Sequence, residues 1–319
     1  MNRWLNKAKE TLILSSVQSM GATVGIPLVS YFMSGGVVSD TMWYMTFSLA
    51  FLHLGVFSHN DIADIHHDTN GGRTDKPLVS KRLSKKFAVW YSWTMITVGV
   101  FLSVYGVNEQ AVSFLIVGLL TGILYNYTSS STALGVPLLG VWGVVIVLYG
   151  GQASGSLTTP VQLFSVLTGL SLALVTFYAD AVDVYSDESS LPIVLGYAAM
   201  SRGDIISSSR KSNSFLLGMV SLQVMLFGYI LDVGAGYFWL TISMFALAAC
   251  SSIYMEFIIL DTERFRKSLV IYTLSSVGFL VMSAAPYAGE LVVTYISAGI
   301  IGWAILSMKV LYGGGLNYA

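Results

Sequence analysis

An all-α, polytopic membrane bundle is the fold class expected from this chain, and three observations carry that expectation. The 319 residues are 55% apolar and only 10% charged, with a mean hydropathy of +0.71, whereas a soluble domain carries about 25% charge. Ten apolar stretches follow one another, each near the roughly 20 residues a helix needs to cross a bilayer core of about 30 Å. Apart from Lys309 in the last stretch, the Lys and Arg residues fall before the first stretch or between alternate ones. This composition excludes an ordinary cytosolic globule, a nucleic-acid binder and a disordered chain. With 16 basic and 17 acidic residues the net charge is −1, so no overall field selects a partner. A single cysteine, Cys250, excludes a disulfide framework and a cysteine metal site.

The predicted spans are 11–34, 39–59, 87–105, 110–127, 134–153, 160–179, 215–234, 237–258, 268–287 and 290–311. The first is too long for a signal peptide and lacks a small-residue cleavage site, so it reads as one retained helix. With a cytoplasmic N-terminus, the inside segments hold Arg3, Lys7, Lys9, Arg73, Lys76, Lys81, Arg82, Lys85, Lys86, Arg202, Arg210, Lys211, Arg264, Arg266 and Lys267. Lys309, in the last turn of the final span, reaches the same side by snorkelling. The outside turns near Gly35, Gly106, Ser154, Gly236 and Ala288 carry no Lys or Arg, as the positive-inside rule requires. Nine spans would put Arg264, Arg266 and Lys267, or Lys309, on the wrong side, so ten are expected. No Pro-rich linker divides the chain. It reads as one transmembrane domain, 1–319, in the cell membrane, with two long cytoplasmic segments, 60–86 and 180–214, where function tends to sit.

Each long segment opens on acids with the spacing DxxDxxxD: Asp61, Asp64 and Asp68 in the first, Asp180, Asp183 and Asp187 in the second. Positions i, i+3 and i+7 share one helical face. A single such triad is commonly a solvated helix end. Two of identical spacing, both at cytoplasmic ends of spans in a chain so poor in charge, point instead to a shared ligand, because carboxylates at a membrane boundary repel one another and are costly. Mg²⁺ relieves both problems, binding through a few carboxylates together with phosphate oxygens and water. Two facing triads would thus hold Mg²⁺, two ions in all, around one diphosphate. Arg73 and Lys76 follow the first triad and would bind phosphate oxygens.

These residues resemble the UbiA superfamily of intramembrane prenyltransferases. Asn60-Asp61-x-x-Asp64-x-x-x-Asp68 followed by Arg73-x-x-Lys76-Pro77-Leu78-Val79-Ser80 is similar to that family's first aspartate-rich signature and basic-Pro segment. Leu124-Tyr125-Asn126-Tyr127 resembles the end of its fourth helix. Asp180, Asp183 and Asp187 with Leu191-Pro192-Ile193-Val194-Leu195-Gly196 resemble its second signature. The resemblance runs over residues 11 to 235. Departures are visible as well. Only Glu188-Ser189-Ser190 separates the second triad from the Leu-Pro element, where the family carries a basic residue. Thr128-Ser129-Ser130-Ser131 replaces a segment that often holds Lys or Arg, and Lys81 stands where Gly is common. The family's usual count is nine spans.

The resemblance implies nine to ten helices around a central cavity. It also implies Mg²⁺-dependent transfer of a prenyl group from an isoprenyl diphosphate to a lipophilic acceptor, with no nucleic-acid partner. Asp64, Asp183 and Tyr125 would be catalytic, and Asn60, Arg73, Lys76 and Tyr125 would bind substrate. Aromatic faces stabilise an allylic cation, and Phe57, Tyr125, Tyr127, Phe177 and Tyr178 lie near the cytoplasmic ends; Tyr125 is weighed equally between site and core, the others towards core. Hard Mg²⁺ avoids imidazole, so His66 and His67 read as loop residues. Gln18 is an intramembrane polar candidate, Cys250 an inert small hydrophobe, and Arg202 with Asp204 lies in a segment that would cover the site. Two other classes stay open: a terpene cyclase on the same scaffold, and an ion transporter whose acids face a pore. The absence of acids in mid-membrane speaks against the transporter.

Overall fold

The computed structural model describes residues 3–129, 131–182, 187, 189–197, 205–206, 210–230, 238–257 and 260–312. Apart from one two-residue strand pair, Ile205–Ile206 with Leu260–Asp261, its elements are helical. They run α1 (Arg3–Leu14), a 3-10 turn (Val17–Ser19), α2 (Met20–Met33), α3 (Asp40–Ala63), α4 (Ile65–Asn70), α5 (Lys85–Gly106), α6 (Glu109–Thr128), α7 (Gly135–Ala153) and α8 (Thr159–Val182). Then follow α9 (Leu191–Val194), α10 (Arg210–Ile230), α11 (Phe238–Phe257), α12 (Thr262–Ser283), α13 (Ala285–Ala288) and α14 (Glu290–Tyr312). Among the described residues five helices are long and apolar enough to cross a membrane, or six when the bent pair at the N-terminus counts as one. With the family assignment below, this makes the chain an integral membrane protein.

The first predicted span is not one helix. Residues 4–14 and 17–33 are bent by 59° at a break where Ser16 takes a left-handed φ of 44°. A break inside a membrane helix leaves carbonyls that need donors. Here the Ser16 carbonyl pairs with His53 Nε2 at 3.2 Å, and Trp303 Nε1 donates to the Val17 carbonyl at 2.6 Å. His53 Nδ1 meets Thr23 Oγ1 at 2.9 Å. Nothing in the local sequence of residues 11–34 announces this, because the stabilising donors come from α3 and α14.

Sequence neighbours pack as hairpins, α3 on α5, α6 on α7, α7 on α8 and α11 on α12, while α2 inserts between α7 and α14. Small residues permit the closest approaches, as expected where helices cannot rely on water to drive them together. Ser48 donates to the Gly99 carbonyl at 2.7 Å and Ser92 to the Gly55 carbonyl at 2.9 Å, so α3 and α5 are tied at two levels. Gly150 of α7 is tighter still, since an added Cβ would lie 2.2 Å from the Pro27 carbonyl oxygen and 2.4 Å from Ser30 Oγ. Gly150→Ala is expected to separate α2 from α7 and to cost about 3 kcal/mol, read as a lowered unfolding midpoint in detergent.

The segment between α4 and α5 carries one strained residue. Lys81, exposed, has φ 58°, a region in which a Cβ crowds the following carbonyl. A Gly at this place, with no Cβ, would relieve that crowding. Lys81→Gly is therefore expected to stabilise the protein by about 1 kcal/mol, measurable as an upward shift of the same midpoint.

Candidate functional site at the mouth of an apolar cavity

The first triad straddles a helix break. Asp61 sits in the last turn of α3, Asp64 caps that helix with φ −84° and ψ 0°, and Asp68 belongs to α4. The i to i−4 ladder nevertheless continues, Asp64 N to Asn60 O at 2.9 Å and Asp68 N to Asp64 O at 2.8 Å. The one-face arrangement expected from the spacing therefore survives the break, with Asp61 and Asp68 both buried.

Lys76 lies between these two acids, its Nζ 2.5 Å from Asp61 Oδ1 and 3.6 Å from Asp68 Oδ2. Burial works against the ammonium charge, but Asp61 and Asp68 outweigh it and hold the lysine above its ordinary pKa range. Lys76 thus compensates Asp61 and Asp68, a pairing that the sequence reading, which assigned it to phosphate, did not include. Arg73 also has a local partner, pairing with Asp75 through Nε and Nη2, each at 3.3 Å. Asp64 is less well compensated. Its carboxyl receives the Asn60 amide at 2.7 Å, yet burial, reinforced by Asp68 and Asp61, pushes its pKa up to about 7.

The second motif meets the first through His67, which the sequence read as a loop residue. His67 Nε2 lies 3.1 Å from Asp187 Oδ1. His67 is part of α4 and not of a loop, and His66 on the same helix is exposed, with Asn70 Nδ2 at 3.3 Å. The available signal was position: His67 precedes Asp68 and follows Asp64 by three, one turn along the acidic face. Asp180 lies in the last turn of α8, while Asp183 and the pair Arg202 and Asp204 fall outside the described residues. Tyr125, near the end of α6, hydrogen-bonds to Ser129 and stands within electrostatic reach of Asp180, Asp64 and Asp187. Ser189 donates to the Ser131 carbonyl at 2.5 Å, joining the second motif to the segment after α6.

Beneath the acids lies a cavity of about 330 Å³. Asn60, Tyr125, Asn126 and Ala179 surround its mouth, and Ile26, Ile146, Thr168 and Leu280 its far end. From Ala179 to Thr168 the wall follows α8 for eleven residues, about 16 Å at helical rise. Three threonines on the wall turn their hydroxyls back into their own helices, Thr168 to Phe164 O, Thr176 to Leu172 O and Thr273 to Leu269 O, all at 2.8 Å. They therefore present methyl groups to an apolar space. Phe57 lines the cavity and packs against the His53 ring, 4.2 Å between centroids. Phe177 and Tyr178 are fully buried in a core cluster, and the largely exposed Tyr127 pairs with His59 at 3.3 Å. Of the five aromatic candidates, Phe57 and Tyr125 face the cavity. Gln18 has a buried Oε1 without a hydrogen-bond partner, and Cys250 is exposed.

The donor set suits a hard cation. It consists of oxygens, and Asn60 Oδ1 is buried with no hydrogen-bond partner while its amide nitrogen holds Asp64. Such an orphaned acceptor beside an under-compensated carboxylate fits the oxygen ligation of a hard divalent cation. Among the described residues no three acids or imidazoles close into one ligand cluster, and Lys76 lies between Asp61 and Asp68.

An all-helical membrane bundle whose acids gather at the mouth of an internal apolar cavity defines the class of protein. A family model described as the UbiA prenyltransferase family matches residues 23–258, and the chain belongs to that family. Several solved structures share the fold. A digeranylgeranylglyceryl phosphate synthase matches over 88% of this chain and 99% of its own, with 22% identity and a TM-score of 0.63. A UbiA homologue from Archaeoglobus fulgidus bound to GPP and Mg²⁺ matches over 94% and 99%, with 13% identity and a TM-score of 0.59. An apo UbiA homologue from Aeropyrum pernix K1 matches over 86% and 98%, with 18% identity and a TM-score of 0.61. No curated protein sequence matches the chain.

Proposed function

We propose that the protein transfers a prenyl group from an isoprenyl diphosphate to a lipophilic acceptor within the membrane, releasing diphosphate, with Mg²⁺ held by the two Asp motifs. The observation that carries this reading is that Tyr125 lines the apolar cavity and stands within electrostatic reach of acids from both motifs, Asp64, Asp180 and Asp187. The homologue bound to GPP and Mg²⁺ supports it.

Asp61, Asp64, Asp68, Asp180, Asp183 and Asp187 would hold two ions, Asn60 adding an amide oxygen beside Asp64. When bound, Mg²⁺ supplies Lewis-acid stabilisation of the charge that develops on the departing diphosphate. Lys76, released from Asp61 and Asp68, and Arg73 bind phosphate oxygens. The allylic C–O bond breaks with its electron pair leaving on diphosphate. The cation left behind faces Tyr125 and Phe57, whose rings stabilise it while the apolar wall keeps water away. The acceptor then forms the new bond to the allylic carbon and loses its proton.

In this reading α2, α3, α5, α6, α7, α8, α10, α11, α12 and α14 are ten spans. The N-terminus and both Asp motifs face the cytoplasm, following the distribution of basic residues. The reaction is tested with radiolabelled geranyl, farnesyl and geranylgeranyl diphosphates and purified protein, with and without a lipid extract. Label appearing in a larger, extractable adduct only when the extract is present is the expected result. Label released as a hydrocarbon without any acceptor would mean cyclisation and would overturn the proposal.

A further inference from the structure

We propose that α1 and the first turn of α5 form a docking face for anionic lipid headgroups, on the leaflet where the Asp-rich site opens. At 100° per residue, Trp4, Leu5, Ala8 and Leu12 of α1 fall within about 100° of arc. All four are exposed, Trp4 by 75% and Leu5 by 64%. The other face of α1 is already engaged. Leu14 is fully buried in a cluster with Leu78, Leu83 and Ala88, Glu10 accepts from Arg82 Nη1 at 3.1 Å, and the Lys7 ammonium lies 4.2 Å over the Phe87 ring. The apolar stripe therefore needs a covering that the bundle does not supply.

Charge and direction identify that covering as lipid. The 59° bend turns α1 away from the axis of the first span, the orientation an amphipathic helix takes when it lies along a bilayer interface. Lys7 and Lys9 on α1 and Lys85 and Lys86 at the start of α5 are exposed, and α1's one acid, Glu10, is paired with Arg82. Lys7 resting on Phe87 brings the two basic pairs to one edge. An apolar stripe bordered by exposed lysines complements anionic headgroups above an acyl boundary, each lysine adding to the attraction. The face also touches the candidate site. Besides pairing with Glu10, Arg82 donates to the Asp75 carbonyl and to Ser80 Oγ, so seating α1 braces the loop that carries Lys76.

The test uses the full-length chain with Cys250→Ser and a nitroxide attached at Leu5→Cys or at Lys9→Cys. The protein is reconstituted in vesicles of phosphatidylcholine alone or with phosphatidylglycerol. Power saturation with oxygen and with a water-soluble nickel complex then reads the depth of each label. The expected result is a Leu5 label open to oxygen and shielded from nickel, a Lys9 label nearer water, and a deeper Leu5 position when phosphatidylglycerol is present. That dependence should disappear when Lys7, Lys85 and Lys86 are replaced by Gln. A Leu5 label equally open to nickel in both vesicles would overturn the proposal. So would shielding from both reagents, which would mean that protein covers the stripe. None of these readouts depends on turnover, so the lipid face and the proposed reaction stand or fall separately.

Discussion

Asp64→Asn is expected to abolish turnover, by about a thousandfold or more, while leaving the metal-free protein as stable as the wild type. The two halves of this expectation have one cause. Asp64 is partly buried beside Asp61 and Asp68, and its pKa is raised to about 7, so near neutrality much of the metal-free population already carries an uncharged carboxyl. Asn reproduces that uncharged shape and removes only the anionic form that would ligate Mg²⁺. The wild type should gain thermal stability on adding Mg²⁺, because an ion that binds the folded state stabilises it by mass action. In Asp64→Asn that gain should shrink sharply. Turnover and the Mg²⁺-dependent shift of the unfolding midpoint, measured side by side, check both halves. Asp183→Asn is expected to abolish turnover as well, on the strength of the matched spacing of the two motifs.

Lys76→Met should have the opposite signature. The ammonium compensates two buried carboxylates at once, Asp61 at 2.5 Å and Asp68 at 3.6 Å. Methionine keeps much of the side-chain volume and leaves those acids facing each other without a cation, a change that costs about 3 kcal/mol where the pair is buried. Metal-free Lys76→Met should therefore unfold at a clearly lower temperature. Saturating Mg²⁺ should recover much of the deficit, because a divalent ion can replace the lost charge. The KM for the isoprenyl diphosphate should rise, since the phosphate oxygens lose one of their two basic partners. Thermal unfolding with and without Mg²⁺, together with steady-state kinetics, separates the structural effect from the binding effect.

Much of this was legible in the sequence because membrane helices announce themselves by length and composition. Nine of the ten predicted stretches coincide with helices to within a few residues at most described ends, from α3 and α5 to α14. The first did not, because Ser15 and Ser16 sit in an apolar run and the break between α1 and α2 is stabilised by His53 and Trp303 from distant helices. The two sets of acids were legible as a repeated spacing, which is a local property. Their partners were not. Lys76 reads as a free cation in one dimension, and only the fold of residues 71–84 brings it back onto Asp61. His67 reads as a bystander until Asp187 arrives from the segment after α8. Tyr125 and Phe57 could not be separated from Phe177 and Tyr178 by periodicity, since all four occupy apolar helix ends; the cavity makes the distinction.

The most direct test of the account is diphosphate release by the purified protein from geranyl, farnesyl and geranylgeranyl diphosphates, with lipid extract present, in Mg²⁺ and in EDTA. Release that requires Mg²⁺ and is lost in Asp64→Asn is the predicted result. Release that proceeds equally in EDTA, or an Asp64→Asn variant as active as the wild type, would contradict it.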